Sequence, residues 1–169
     1  ATQRQQSHRD AILLCVGQPA TPAPGIVREA AARAVRDEVL GYTVSAGRDD
    51  LRAAIAAHYR DLGADVSPEQ IVVSTGSSAA FSLVILAALE AGDVVAMTRP
   101  GYPAYRNTLL SLGCRVDDIA VGESTRYQPT VELLEGRDPR PAGLVIASPA
   151  NPTGTIIDPE QLAAIAAWC

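Results

Sequence analysis

The sequence predicts an α/β fold, with a three-layer αβα arrangement around a mostly parallel sheet. Short apolar runs that suit strands alternate with longer stretches of helical periodicity, and this βαβαβ order favours parallel strands joined by right-handed crossovers. The run from Leu144 to Ala147 is apolar at every position, as is typical of a strand covered on both faces. With 169 residues and a 47% hydrophobic composition, the chain is long enough for a domain with a buried core.

Two regions are expected along the chain. Residues 1–24 are interpreted as an N-terminal arm or small-domain segment, which is polar at first and then strand-like from Ala11 to Val16. Residues 25–169 would form the N-terminal part of a larger domain. Asp158 followed by proline is typical of a helix start, and we expect this helix to continue past Cys169. We therefore interpret the chain as a piece of a longer protein.

Amphipathic spacing predicts two helices in the first half, from about Pro24 to Leu40 and from about Asp49 to Leu62. In the second helix Arg52 is expected to point away from the apolar face. That face is expected to consist of Leu51, Ile55, Tyr59 and Leu62.

The second half of the chain is predicted to alternate between helices and strands. A single turn at Ser67-Pro68-Glu69-Gln70 should precede a strand from Ile71 to Ser74, because the later run is β-branched and apolar. The remaining predicted elements are a helix from Ala79 to Glu90, a strand from Val94 to Thr98, a helix that ends at Leu112 before Gly113, a strand from Val116 to Val121, a short helix from Thr130 to Glu135 and the strand from Leu144 to Ala147.

Charge and hydropathy argue against two classes of partner. The net charge is −5 and the basic residues form no cluster, which argues against nucleic acid or an anionic membrane surface. The longest apolar run, near Phe81 to Leu89, is far shorter than the roughly 20 residues of a membrane-spanning helix.

Cysteine and histidine spacing argues against disulfides and metals. Cys15, Cys114 and Cys169 are odd in number and widely separated, so we expect a reducing, cytoplasmic location. His8 and His58 each stand alone, and no metal site is predicted.

The loop from Ser148 to Gly154 follows the predicted strand Leu144 to Ala147, at the edge where open α/β sheets bind ligands. Pro149 and Pro152 restrict its backbone, so the amide of Asn151 would be held at a nearly fixed place. The alternative interpretation is an ordinary turn, since Asn-Pro is a common turn dipeptide.

The stretch Thr75-Gly76-Ser77-Ser78 is predicted to place glycine and hydroxyl groups at a helix N-terminus. Unpaired N–H groups and the positive end of the helix dipole favour a phosphate there. Serine is also the usual structural choice at a helix start, so the stretch alone decides nothing. A Walker loop requires lysine, but all 14 basic residues are arginine, and GxGxxG is missing as well.

Taken together, five segments resemble the aspartate-aminotransferase family of pyridoxal-phosphate enzymes, the class I and II aminotransferases of fold type I. The segments are Gly17-Gln18-Pro19, Gly41-Tyr42, Thr75-Gly76-Ser77-Ser78, Pro100-Gly101-Tyr102-Pro103 and Ser148-Pro149-Ala150-Asn151-Pro152-Thr153-Gly154. The last is the most specific match. The resemblance implies the N-terminal part of the family's large domain, a pyridoxal 5'-phosphate cofactor, and amino-group transfer between an amino acid and a 2-oxo acid.

The resemblance also assigns roles to residues. Gly76, Ser77 and Ser78 would bind the cofactor phosphate, Tyr102 would stack on the pyridine ring, and Asn151 would hydrogen-bond the phenolic oxygen. The resemblance further implies cis bonds at Asn151-Pro152 and Arg99-Pro100.

Two further residues are carried over from the family. The backbone of Gly17 would lie beside the substrate carboxylate. Tyr42 would reach the phosphate of a partner subunit, which implies a homodimer.

The same resemblance places other family residues outside this sequence. The Schiff-base lysine, the aspartate on the pyridine nitrogen and the arginines for phosphate and carboxylate would lie beyond Cys169. The 169-residue chain alone is therefore expected to be inactive. Two alternatives stay open, a carbon–sulfur lyase or synthase on the same scaffold and a non-catalytic regulatory domain.

Overall fold

A computed structural model of the chain describes residues 2–8, 10, 12, 17 and 19–169. Contacts divide the chain into two compact units, Ala1–Val44 and Ser45–Cys169. The division into a 1–24 arm and a 25–169 domain stays a prediction.

The first unit contains helices α1 (Thr2–Ser7) and α2 (Gly25–Asp37). Helix α2 ends before the predicted Leu40, because Glu38 already has extended backbone angles, with φ −111° and ψ 149°. The predicted strand from Ala11 to Val16, apart from Ile12, lies outside the described residues.

Helix α3 (Asp49–Asp61) begins as predicted, but its predicted apolar face is wrong. Ala56 is fully buried, whereas Leu51, Tyr59 and Leu62 are exposed. Arg52 lies on the packed side, where its Nε donates a hydrogen bond of 2.9 Å to the carbonyl of Ile71. The orientation follows this tertiary contact rather than the largest apolar side chains.

A single 3-10 turn at Pro68–Gln70 follows α3, as predicted. The backbone N–H of Ser67 donates to Oε1 of Gln70 at 2.9 Å, which closes the turn. The strand predicted from Ile71 to Ser74 does not form. The segment makes one backbone hydrogen bond of 2.9 Å, from Val73 N to the carbonyl of Ala46, and no neighbouring strand extends this into a ladder within the described part of the chain.

The remaining elements form the α/β core, within a few residues of the predicted bounds. They are α4 (Ser77–Ala88), β1 (Val94–Arg99), α5 (Pro103–Ser111), β2 (Arg115–Ala120), α6 (Val131–Leu134), β3 (Gly143–Val145) and α7 (Pro159–Trp168), with a second 3-10 turn at Glu123–Thr125. Gly113 follows α5 with φ +85°, the left-handed conformation that a helix end favours. Asp158 caps α7 by accepting the N–H of Glu160 at 2.9 Å.

The three strands form a parallel sheet in the order β2-β1-β3. Val95 in the central strand pairs with Val116 of β2 on one side and with Gly143 of β3 on the other. Because the strands are parallel, the carboxyl ends of all three meet at one edge of the sheet.

Side chains alternate between the two faces of this sheet, and each face has its own core. One face is covered by α4 and α5, and its buried residues are Ile85, Val95, Met97, Leu109 and Cys114. The other face is covered by α6 and α7, and its buried residues are Ala96, Ile119, Leu134, Ile157 and Ile165. This arrangement confirms the predicted αβα layers. No helix in the described ranges is both long and apolar enough to cross a membrane.

Candidate functional site

The first turn of α4 provides unpaired backbone donors. Gly76 occupies the N-cap position with φ +85° and ψ 171°, a conformation that is open almost only to glycine. The N–H groups of Ser77, Ser78 and Ala79 have no partner inside the helix, because they belong to its first turn. No side chain caps this turn, and it contains no acidic residue. With the positive end of the helix dipole, these donors suit an anionic group such as a phosphate. The predicted helix start is confirmed.

Tyr102 lies where the carboxyl end of β1 turns into α5, at the N-cap position of that helix. The residue is 38% exposed. The ring borders one recess together with Ser77 and Ser78, and a second recess together with Asn151. The structure thus places three of the predicted site residues, Ser77, Ser78 and Asn151, beside recesses that the ring of a fourth, Tyr102, borders.

The loop that carries Tyr102 packs tightly against β1. A Cβ atom at Gly101 would lie 2.5 Å from the carbonyl oxygen of Thr98, so only glycine fits at this position without displacing the backbone. The peptide bond Arg99-Pro100 is cis, as the family resemblance implied.

The loop after β3 is held by its own hydrogen bonds. Ala150 N donates to the carbonyl of Thr155 at 2.9 Å, and Gly154 N donates to the carbonyl of Ala150 at 2.7 Å. Ile157 N donates to Oγ of Ser148 at 3.1 Å. Asn151, which is exposed, therefore lies in a turn closed by hydrogen bonds, and the stiffness of this loop stays a prediction.

The bond Asn151-Pro152 is cis, which confirms the implied geometry. The bonds Ser148-Pro149 and Asp138-Pro139 are cis as well.

Gln128 is a support that the sequence analysis missed. It is only 5% exposed, and its Nε2 donates to the carbonyl of Thr155 at 2.6 Å and contacts the hydroxyl of the same residue at 3.1 Å. These bonds connect the segment after β2 to the end of the Asn151 loop. No local pattern around Gln128 signals this contact, which spans 27 residues of sequence.

A cleft of about 340 Å³ borders Tyr102, Arg99, Arg106 and Asp118. Arg106 Nη1 donates to Asp118 Oδ1 at 2.6 Å, and Arg99 Nη1 lies 3.9 Å from Asp118 Oδ2. One carboxylate thus faces two guanidinium groups beside the loop that carries Tyr102.

Gly17 and Tyr42 belong to the first unit, and both are exposed. Tyr42 is exposed over essentially its whole surface. Their roles toward substrate and partner subunit stay predictions. In the described ranges, no group of three or more His, Cys, Asp and Glu side chains could hold a metal ion.

The sequence profile of the family "Aminotransferase class I and II" matches residues 9–169. Among curated proteins, the chain is 54% identical to a valine–pyruvate aminotransferase of Mycobacterium tuberculosis, over 100% of this chain and 44% of that protein. It is 32% identical to a probable aspartate/prephenate aminotransferase of Aquifex aeolicus, over 95% of this chain and 41% of that protein.

Solved structures show the same relationship. An aminotransferase from Mycobacterium tuberculosis superposes with a TM-score of 0.94 at 53% identity, covering 99% of this chain and 44% of that one. An aspartate aminotransferase from Thermus thermophilus with maleate superposes with a TM-score of 0.90 at 32% identity, covering 98% and 44%. The chain thus spans less than half the length of the relatives that it matches. The chain belongs to the family of class I and II aminotransferases.

Proposed function

We propose that this chain is the cofactor-binding part of a pyridoxal-phosphate-dependent aminotransferase. The observation that carries the proposal is the shared recess at the first turn of α4, where Ser77 and Ser78 lie beside the ring of Tyr102. A phosphate group and a flat ring on one small molecule match these neighbouring features. Membership of the aminotransferase family supports the same ligand.

Each residue has a role that suits its chemistry. The N–H groups and hydroxyls of Ser77 and Ser78 hold the phosphate, and Gly76 leaves open space beside it, since a Cβ there would meet no atom within 4 Å. Tyr102 offers an aromatic face to the pyridine ring. Asn151 donates its amide N–H to the phenolic oxygen.

When bound, pyridoxal phosphate supplies the electron sink that allows an amino group to pass from an amino acid to a 2-oxo acid. This chain's own residues hold and orient the ring. Gly17 is proposed to lie beside the substrate carboxylate. The name of the relative at 54% identity supports valine and pyruvate as the first substrate pair to test.

Binding is tested with pyridoxine 5'-phosphate, which carries an alcohol in place of the aldehyde and therefore cannot react with amines. Titration calorimetry on the 169-residue chain should give saturable binding that inorganic phosphate competes away. Replacing Tyr102 by leucine should weaken binding roughly tenfold through lost ring contact. Tyr59→Leu, at an exposed tyrosine on α3, is the matched control and should change nothing. Equal affinities for the Tyr102→Leu and Tyr59→Leu variants would refute the assignment.

Activity is tested in a chimera that joins this chain to the remaining part of the Mycobacterium tuberculosis relative. Valine and pyruvate should be converted to 3-methyl-2-oxobutanoate and alanine, and Asn151→Ala should reduce the rate. A chimera that binds the cofactor yet transfers no amino group from any donor tested would refute the proposed reaction.

We also propose that the whole protein is a homodimer in which Tyr42 completes the partner's phosphate site. The almost completely exposed side chain of Tyr42 supports this role. Mixing chimeras that carry Tyr42→Phe with chimeras that carry Ser78→Ala should produce hybrid dimers with one undamaged site. Recovered phosphate affinity in the mixture supports the arrangement, whereas mixtures that only average the two parents contradict it.

A further inference from the structure

Three aromatic rings form a chain between α5 and α4. The rings of Tyr102 and Tyr105 are 5.3 Å apart between centroids and nearly perpendicular, at 83°. The rings of Tyr105 and Phe81 are 4.9 Å apart and tilted by 48°. Tyr105 is therefore the middle ring, between the predicted stacking residue and the helix that carries Ser77 and Ser78.

The middle ring packs against the hydrophobic core, whereas the ring of Tyr102 lies outside it. Tyr105 and Phe81 are half-buried and pack against the core that α4 and α5 cover, around Ile85, Met97 and Leu109. Tyr102 is more exposed and is not part of that core. An exposed tyrosine can rotate about its side-chain bonds unless a neighbour restricts it. The edge-to-face contact with Tyr105 is one restriction that the structure provides.

Tyr105 also lines the recess that Ser77, Ser78 and Tyr102 border. Tyr105 thus contacts Tyr102 and borders the same recess as the first turn of α4. Its backbone supports the same geometry, since Tyr105 N donates to the carbonyl of Tyr102 at 3.2 Å.

We propose that Tyr105 is a positioning residue that holds the ring of Tyr102 at a set angle and distance from the first turn of α4. The proposal rests on the proposed function. A ligand that carries both a flat ring and a phosphate then meets two prearranged contacts at once and loses less freedom on binding. A ligand that carries only a phosphate gains nothing from Tyr105.

Two variants of Tyr105 distinguish the contribution of its aromatic ring from that of its hydroxyl group. Tyr105→Phe keeps the ring and should behave like the wild type. Tyr105→Leu removes the ring and should weaken binding of pyridoxine 5'-phosphate roughly two- to tenfold, the range expected for one aromatic pair. Affinity for inorganic phosphate should stay unchanged. In a Tyr102→Leu background, Tyr105→Leu should have no further effect, because its partner is already gone.

A cofactor-free readout tests the same contact. In a chain with ¹³C-labelled tyrosine, the Tyr102 ring signals should shift in Tyr105→Leu and stay in place in Tyr105→Phe. If the leucine variant does not fold, Tyr105→Met replaces it in every measurement.

The outcomes distinguish the inference from the proposed function. Unchanged Tyr102 signals in Tyr105→Leu overturn the inference, whatever the ligand does. Equal losses of affinity for pyridoxine 5'-phosphate and inorganic phosphate also overturn it, because they indicate general structural damage. A wild-type chain that binds inorganic phosphate but shows no added affinity for pyridoxine 5'-phosphate overturns the proposed ligand, while the ring signals still decide the role of Tyr105.

Discussion

The guanidinium of Arg106 donates a hydrogen bond of 2.6 Å to the carboxylate of Asp118, which joins α5 to β2 beside the Tyr102 loop. Both side chains are partly exposed, at 42% and 28%, so solvent and salt screen the pair. We expect Asp118→Asn to lower the free energy of unfolding by about 1 kcal/mol or less. Urea titrations at low and high salt should show a smaller loss at high salt. Asp65→Asn, at an exposed aspartate, is the control, and equal losses in the two variants would exclude a specific pair.

Gly76→Ala tests the conformation at the start of α4. With φ +85° and ψ 171°, an alanine here should cost about 1–3 kcal/mol of stability and displace the first-turn donors. Phosphate affinity should therefore fall together with the melting temperature. Gly63→Ala is matched to it, because Gly63 has φ +87° and open space around its Cα. That variant should lose stability and keep phosphate affinity; if both variants keep affinity, Gly76 has no part in the site.

Gln128→Met tests the support beneath the Asn151 loop. Methionine has nearly the same length but cannot donate to the carbonyl of Thr155, which would keep only the hydrogen bond from Ala150 N. We expect the free energy of unfolding, measured in urea, to fall by about 0.5–1.5 kcal/mol, the net contribution of one hydrogen bond. Amide hydrogen exchange should rise at Ala150 and Gly154, whose N–H groups close the loop. Faster exchange across the whole sheet, with no excess in the loop, would contradict a local role.

Lowering the pH should reduce the stability that the ion pair between Arg48 and Asp50 contributes at the start of α3. Hydrogen bonding from Arg48 lowers the pKa of Asp50 from its ordinary 3.8 to about 2. Because the folded pKa is the lower one, this contribution to stability is complete above 3.8 and is lost as the pH falls through about 2.

Thermal melts between pH 5 and pH 2 measure this contribution. As the pH falls, the melting temperature of Asp50→Asn should decrease less than that of the wild type. The control variant Asp61→Asn, at the other end of α3, should not differ from the wild type in this way. Part of the loss should remain in Asp50→Asn, since the hydroxyls of Ser67 and Thr130 lower the pKa of Glu69 and Glu132. Identical acid profiles for Asp50→Asn and the wild type would contradict the prediction.

Elements with strong local chemistry could be predicted from the sequence. Gly113 after α5 and Asp158-Pro159 before α7 mark helix boundaries through backbone freedom and capping, and both boundaries are confirmed. The site residues Ser77, Ser78, Tyr102 and Asn151 were predicted from short segments that resemble the aminotransferase family, and the structure places the other three beside recesses that Tyr102 borders.

Other features depend on partners that are distant in sequence. The packed side of α3 is decided by the bond from Arg52 to Ile71, 19 residues away, and the Asn151 loop is supported by Gln128, 27 residues from Thr155. Ile71 to Ser74 has the composition of a strand, but among the described residues no neighbouring strand pairs with it. Periodicity and capping are set by nearby residues, so the sequence alone determined the order of the helices and strands from α4 to α7. Helix orientation, strand pairing and the angle of the Tyr102 ring depend on long-range contacts, and only the tertiary structure decided them.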